Sequence, residues 1–423
     1  MNARVVSRDG TRMTVCVEVE LSGNMLEREE AIQAAVCEVG GLLTGETLSD
    51  FDADGSPIQI GDLRLTSKGK VHQTYETPFG PVGVDRHLYQ TSSGGRTFCP
   101  LEENARILLT ATPRLAMMVA SKYAMFGAPA VRRDLEENHG RTIAISYVKS
   151  LADTVGEIVK RKEEIWDYAV PEMPKPVAHV GASVDGTCML TCDTGWRQAM
   201  VGTCSLYDAN GERMHTVYIG STPEYGKETF KSRFEKELEK IRKEFPSAPV
   251  VGVADGAPEN WTFLEQFTDD QVLDFYHVSE YIGAVAQALY PHRSKTHERE
   301  AWLGDQLHEL KHQAGGARRL LSKLIHLRKG DLPASARQKI TDAIRYVKNN
   351  LHRMNYADLI AKHMPIGSGV CEAACKTIIK QRLCGSGMRW RERGASAVIA
   401  LRTLQETQGR WSGFWKKLAS IGK

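Results

Sequence analysis

The second half of the sequence predicts an α/β fold, preceded by a mainly helical N-terminal region with some β-ribbon. Strand-like segments at 177–191, 196–207 and 213–219 succeed one another, and Asn210-Gly211 between the last two tolerates the positive φ angles of tight hairpin turns. A charged amphipathic helix follows at 224–245, with Phe230, Phe234, Leu238 and Ile241 on one stripe. Two more apolar strands, 250–254 and 272–275, are each followed by a helix, one through 267 and the other through 289. Antiparallel strands, a helix and then helix-linked strands assemble into one sheet covered by helices.

Upstream, 25–43 reads as a helix, with Leu26, Glu29, Ile32, Ala35 and Val36 in a mixed helical pattern. Short strands are expected at 58–60, 63–65, 70–75 and 82–89, and Pro78-Phe79-Gly80-Pro81 favours a hairpin or ribbon between the last two. From 101 to 162 the pattern turns helical. Pro113 opens a helix ending near Gly127, a second runs from Pro129 or Ala130 to Glu137, and a third follows the break at Gly140-Arg141-Thr142. The last two have the proportions of a helix-turn-helix whose second member enters a DNA major groove, and equally those of an ordinary helical hairpin. Pro171-Glu172-Met173-Pro174-Lys175-Pro176 resists both helix and sheet and marks the expected main domain boundary.

Composition narrows the functional classes. The 423 residues are 42% hydrophobic and 25% charged, which suits two or three globular domains and excludes a disordered or fibrous chain. No apolar run is long enough to span a bilayer and the first residues do not form a secretory signal, so a cytoplasmic protein without a membrane partner is expected. Nine cysteines, an odd number, argue for free thiols over a disulfide scaffold. Cys188/Cys192 and Cys371/Cys375 are each spaced by four, compatible with small buried residues or with metal ligation. The net formal charge is +3, yet residues 291–423 carry +16 and residues 1–290 carry −13. A basic C-terminal third suits a polyanion such as nucleic acid; solvated helices or a complement to the acidic half are the plainer readings.

Three carboxylates stand out. Asp185 lies in a strand as Val184-Asp185-Gly186-Thr187, and Asp255 ends another as Ala254-Asp255-Gly256-Ala257. On adjacent strands such a pair repels unless a divalent cation lies between, and the glycine after each leaves room for ions or a phosphate backbone. Either aspartate alone also reads as a turn or capping residue. Glu372 follows the turn Pro365-Ile366-Gly367-Ser368-Gly369, with Ser368 placed to cap the helix that Glu372 shares with Lys376 and Lys380. The turn lacks the spacing of a nucleotide P-loop.

These segments, with Asp274-Phe275-Tyr276-His277-Val278 and Ser386-Gly387-Met388-Arg389-Trp390, resemble in their order and in the helical insertion before the glutamate the DDE transposases of bacterial insertion sequences, ISKra type, over roughly 177–415. The resemblance implies a ribonuclease-H-like catalytic core with a helical insertion, and Asp185, Asp255 and Glu372 as catalytic residues holding Mg²⁺ or Mn²⁺, two ions per active site. Its implied partners are double-stranded DNA at transposon terminal repeats and target DNA, bound by a homodimer because each of two synapsed ends needs an active centre. The domain plan is then 1–100, mixed helix and β-ribbon; 101–170, helical; 177–291, first part of the core; 292–360, helical insertion; and 361–423, last part of the core with the glutamate helix and a basic tail.

His277 is expected either to contact the scissile phosphate or orient water, or to sit buried or capping at the sheet edge. Lys376, Lys380 and Arg382 are candidates to hold phosphates, and Arg318, Arg319, Lys323, Arg328 and Lys329 of the insertion to grip flanking DNA. Arg389, Trp390 and Arg391 interleave cations with an aromatic ring, and Trp411 and Trp415 either stack on bases or anchor the last helix to the core. A structure-selective nuclease or resolvase on the same fold, and a domesticated DNA-binding protein without turnover, are the alternative functions.

Overall fold

The computed structural model describes residues 3–421, which divide into two compact units, 3–166 with 412–421, and 167–411. The division falls just before the proline-broken segment. The regions 1–100 and 101–170, expected to be separate, fall largely within one unit as far as they are described, and 412–421, expected as part of the tail of the core, groups with it.

The first unit opens with an unexpected hairpin of β1 (Arg4–Asp9) and β2 (Arg12–Cys16). Helix α1 (Met25–Ser49) starts at a capping box in which Asn24 and Glu27 satisfy each other's backbone donors. It runs past Gly40 because the missing side chain there admits the Phe79 ring, which a Cβ would approach to 2.5 Å. An antiparallel sheet follows in the order β3 (Ile58–Ile60), β4 (Leu63–Thr77), β5 (Gly80–Thr91) and β6 (Gly94–Phe98). The β4–β5 pair is the expected ribbon, turning between Thr77 and Gly80. Helices α2 (Pro100–Asn104), α3 (Pro113–Met125), α4 (Ala128–His139) and α5 (Ile145–Glu163) complete the unit. Gly140 ends α4 in the left-handed region at φ 58°. The third expected helix begins at Ile145 because Arg141 is turned inward, donating to Thr77 O at 2.9 Å and pairing with Glu76. Among the C-terminal residues of this unit, Phe414 is fully buried, with Trp166 and Trp415 rings at 5.7 and 5.3 Å, so Trp415 packs in the core.

The second unit is built on a five-stranded sheet. Strands β7 (His179–Thr191), β8 (Gly195–Tyr207) and β9 (Arg213–Ser221) run antiparallel in succession; β10 (Val250–Ala254) joins the other side of β7 in parallel, and β11 (Asp270–Leu273) joins β10 in parallel. The order is β11-β10-β7-β8-β9. At the β8–β9 turn only Gly211 takes a positive φ, 79°; Asp208 shapes the loop by accepting from the Asn210 and Glu212 amides.

Helix α6 (Glu228–Glu244) covers one face with Phe230, Phe234, Leu238 and Ile241, each at most 1% exposed, every such ring or branched chain contributing about 1.5–3 kcal/mol by burial. Gly202 lets it close in, since a Cβ would sit 2.5 Å from Phe234. Helix α7 (Pro258–Leu264) links β10 to β11, and α8 (Phe275–Leu289) follows β11. The expected insertion is helical: α9 (Thr296–His312), α10 (Gly316–Arg328), α11 (Ala334–Asn350) and α12 (Tyr356–Ala361). Leu310, Leu320, Leu324, Ile340 and Val347 join the sheet's core, and the Tyr356 hydroxyl donates to Leu273 O at 2.9 Å. The chain then returns to the sheet through α13 (Gly369–Ala374), a π-helical turn at Cys375–Lys380, α14 (Gln381–Leu383) and α15 (Glu392–Glu406). No helix among the described residues is long and apolar enough to cross a membrane.

Candidate active site

The acids are placed by strand register. Val253 pairs with Ser183 at the last register of the parallel β10–β7 ladder; Asp185, still within β7, and Asp255, one residue past the end of β10, each follow two residues further on. Period-two alternation puts Asp185 on the face of Ser183. There the π-helical turn supplies Cys375, whose Sγ donates to Asp185 Oδ2 at 3.5 Å, while Oδ1 accepts the Gly186 amide at 2.6 Å. Asp255 leaves β10 and accepts from the Ala257 amide at 3.2 Å and Asn260 Nδ2 at 3.0 Å, opening α7.

The room expected beside the two glycines is taken. A Cβ on Gly186 would meet the Gln198 side chain at 2.3 Å, and one on Gly256 the Tyr346 ring at 2.4 Å. These glycines accommodate protein side chains, and they do not open a channel of their own.

Asp274, expected at 272–275 as a strand residue, has a different role: β11 ends at Leu273 and Asp274 is the N-cap of α8, accepting from the Tyr276 and His277 amides at 2.6 and 3.1 Å. Its other oxygen accepts both the amide and the hydroxyl of Ser368. The carboxylate is 0% exposed, and the Phe275 amide adds a 3.0 Å bond to Ile366 O. Gly367 fits because a Cβ there would lie 2.9 Å from the Tyr276 ring. This clasp joins the end of β11 to the turn that launches α13. Ser368 therefore spends its hydroxyl on Asp274, and no capping bond to the α13 backbone forms.

Glu372, in the first turn of α13, points a half-exposed carboxylate toward His277, with Nε2 3.7 Å from Oε1, and lies 3.4 Å from Ser368 Oγ. His277 also stands 3.6 Å from Glu280 and is 36% exposed, so it is neither buried nor confined to a capping role. The expected Glu372–Lys376 pair is not formed; the π-helical turn beginning at Cys375 alters the ordinary four-residue spacing. Among the described residues, no lysine or arginine pairs with Asp185, Asp255 or Glu372.

Carboxylate oxygens with no lysine or arginine partner fit a hard divalent cation in donor chemistry. Among the described residues, however, no three His, Cys, Asp or Glu side chains are gathered as a metal-holding group. Each acid is engaged by local donors instead. Cys371 and Cys375 are buried, and the Cys371 thiol is pushed well up by its hydrogen bond with Cys375 and by burial; Cys188 and Cys192 are exposed.

The basic candidates separate by burial. Lys376, Lys380, Arg389 and Arg391 are exposed near the glutamate helix, and Arg318, Arg328 and Lys329 are exposed on α10. Arg319 and Lys323 are exposed too, yet both pair with Glu309 and so hold α10 to α9. Arg382 departs from its expected role as a phosphate ligand: it is 4% exposed, with its guanidinium 5.1 Å from the Trp390 ring centre. Trp390 is half-buried and donates from Nε1 to Leu383 O at 2.9 Å, which makes it a brace for α14 rather than an open stacking platform. No protein-family model matches the chain, and a search of curated proteins returned no match either.

Proposed function

We propose that the chain is a DNA transposase of DDE type, a metal-dependent phosphoryl-transfer enzyme with a ribonuclease-H-like catalytic unit. The observation that carries the reading is the strand register: Asp185 on β7 and Asp255, just past the end of β10, each follow two residues after the paired Ser183 and Val253. Asp274 also clasps the glutamate-bearing turn to the end of β11, and no lysine or arginine pairs with Asp185, Asp255 or Glu372 among the described residues. The strand order, with β8 antiparallel to its neighbours, and the helices inserted before Glu372 support it.

Asp185, Asp255 and Glu372 would hold Mg²⁺ or Mn²⁺, two ions in our reading, which when bound activate water or a DNA 3′-hydroxyl and stabilise the leaving 3′-oxygen of an in-line displacement. The chain's own residues do the positioning. Ser368, fixed by Asp274, orients the turn from which Glu372 projects, and His277 stands where it can hold a proton or a phosphate oxygen beside Glu372. Exposed Lys376 and Lys380 hold the DNA backbone by charge. Paired terminal repeats are served by a homodimer, each protomer supplying one centre.

A strand-transfer assay with labelled transposon ends tests the reading. Metal-dependent nicking followed by joined product supports a transposase; nicking with no joined product favours a structure-selective nuclease or resolvase. Tight DNA binding without any cleavage favours a DNA-binding protein that keeps the fold without turnover, a reading to which the ungathered acids give specific support.

A further inference from the structure

Immediately behind Asp255 lies a cleft of about 340 Å³ between α7, α8 and α11. Gly256 forms part of its wall, so the cleft adjoins the acid that leaves β10. Tyr281 and Tyr346 line it as a stacked pair, ring centres 4.0 Å apart and planes 13° off parallel. Trp261, also in the wall, is 3% exposed, and its indole N–H has no acceptor among the described residues. An unpaired buried donor is costly and calls for an acceptor.

The charge of the lining selects the ligand class. Glu265 and Asp342 offset Arg345 and Arg353, and Arg345 pairs with Asp342 at 3.0 Å while the Arg353 guanidinium lies 4.3 Å from the Trp261 ring centre. A formally neutral cleft with internally satisfied cations is not built for a phosphate. Flat aromatic walls, an orphan N–H and the exposed Asn349 amide suit an uncharged planar ring carrying hydrogen-bond acceptors.

We propose that this cleft receives one nucleobase of the DNA strand that passes Asp255, turned out of the helical stack. The inference rests on the reading of the protein as a DNA-processing enzyme, and it adds a base-binding site separate from the acids. Stacking against the tyrosine pair and a hydrogen bond from Trp261 would hold the base, and the backbone would be left at the sheet edge.

The test compares the full chain's affinity for a single-stranded oligothymidylate with that for an abasic deoxyribose-phosphate strand of equal length, in chelator so that cleavage plays no part. The intact strand is expected to bind about tenfold more tightly. Trp261→Phe, which removes the donor but keeps a ring, and Tyr281→Leu, at a partly exposed position, should each shrink that ratio several-fold without changing affinity for the abasic strand. Equal affinity for the two strands, or an unchanged ratio in both folded variants, overturns the proposal. Strand cleavage is measured separately: base-dependent binding without cleavage leaves the cleft standing and removes the transposase reading, whereas cleavage without base dependence does the reverse.

Discussion

Replacing Asp274 by alanine would strip four donors of their acceptor at once, in a place that is 0% exposed. Two are the Tyr276 and His277 amides at the start of α8, a capping loss of about 1–2 kcal/mol. The other two are the Ser368 amide and hydroxyl, bonds to a charged acceptor that carry about 1.5–3 kcal/mol. Together they lower the local stability of the clasp by roughly 3–5 kcal/mol, a large share of the roughly 5–15 kcal/mol that holds a domain folded. Asp274→Asn keeps one oxygen for the cap but turns an amide NH₂ toward the Ser368 N–H, so about half the loss, roughly 2 kcal/mol, is expected.

Hydrogen exchange read by peptide mass is the suitable assay, because two compact units need not unfold in one transition. In Asp274→Ala the peptides covering 275–289 and 366–383 should exchange together, at least a hundredfold faster than in the wild type, while α6 stays protected. Unchanged exchange in both peptides, or faster exchange in 275–289 alone, would refute the clasp as the link between β11 and the glutamate helix.

Other outcomes follow from the same geometry. Lys376→Ala and Lys380→Ala should weaken DNA binding uniformly over sequences and reduce the salt slope by about one per lysine, checked by titration at several ionic strengths. Arg382→Ala should destabilise the second unit with little change in that slope, since its guanidinium lies against Trp390; a salt slope altered as in the lysine variants would return it to the phosphate-binding set. His179 and His215 are buried, and burial pushes both imidazoles below the usual 6.5; the positive charge of Arg410 lowers His215 further. Between the depressed folded values and 6.5 the unfolded chain binds more protons, so their stabilising share is complete above 6.5 and is lost as pH falls. The melting midpoint should drop on acidification through that window, and His179→Phe combined with His215→Phe should flatten the drop; an unchanged slope would exclude these residues as its source.

What was legible in the sequence was legible because it is local. The apolar run 250–254 is β10 to the residue, and the phenylalanine stripe of 224–245 is the buried face of α6. Asn210-Gly211 announced a turn, although one glycine and the Asp208 carboxylate shape it in place of two positive φ angles. Long-range pairings left no such mark. Asp274 looked like the end of a strand because its capping partners are two and three residues on, while its clasp to Ser368 spans 94 residues. Composition near Arg382 reads as basic surface, yet the turn of α14 carries that side chain inward. The π-helical turn, which breaks the Glu372–Lys376 spacing, has no signature in helical periodicity.

Calorimetric titration of Mn²⁺ into the DNA-bound protein bears most directly on the assignment of Asp185, Asp255 and Glu372. The wild type should bind the ion saturably, and Asp185→Asn, Asp255→Asn and Glu372→Gln should each lose most of that binding while still holding DNA. Undiminished Mn²⁺ binding in all three variants would mean that the metal, and with it the proposed phosphoryl transfer, belongs somewhere other than these carboxylates.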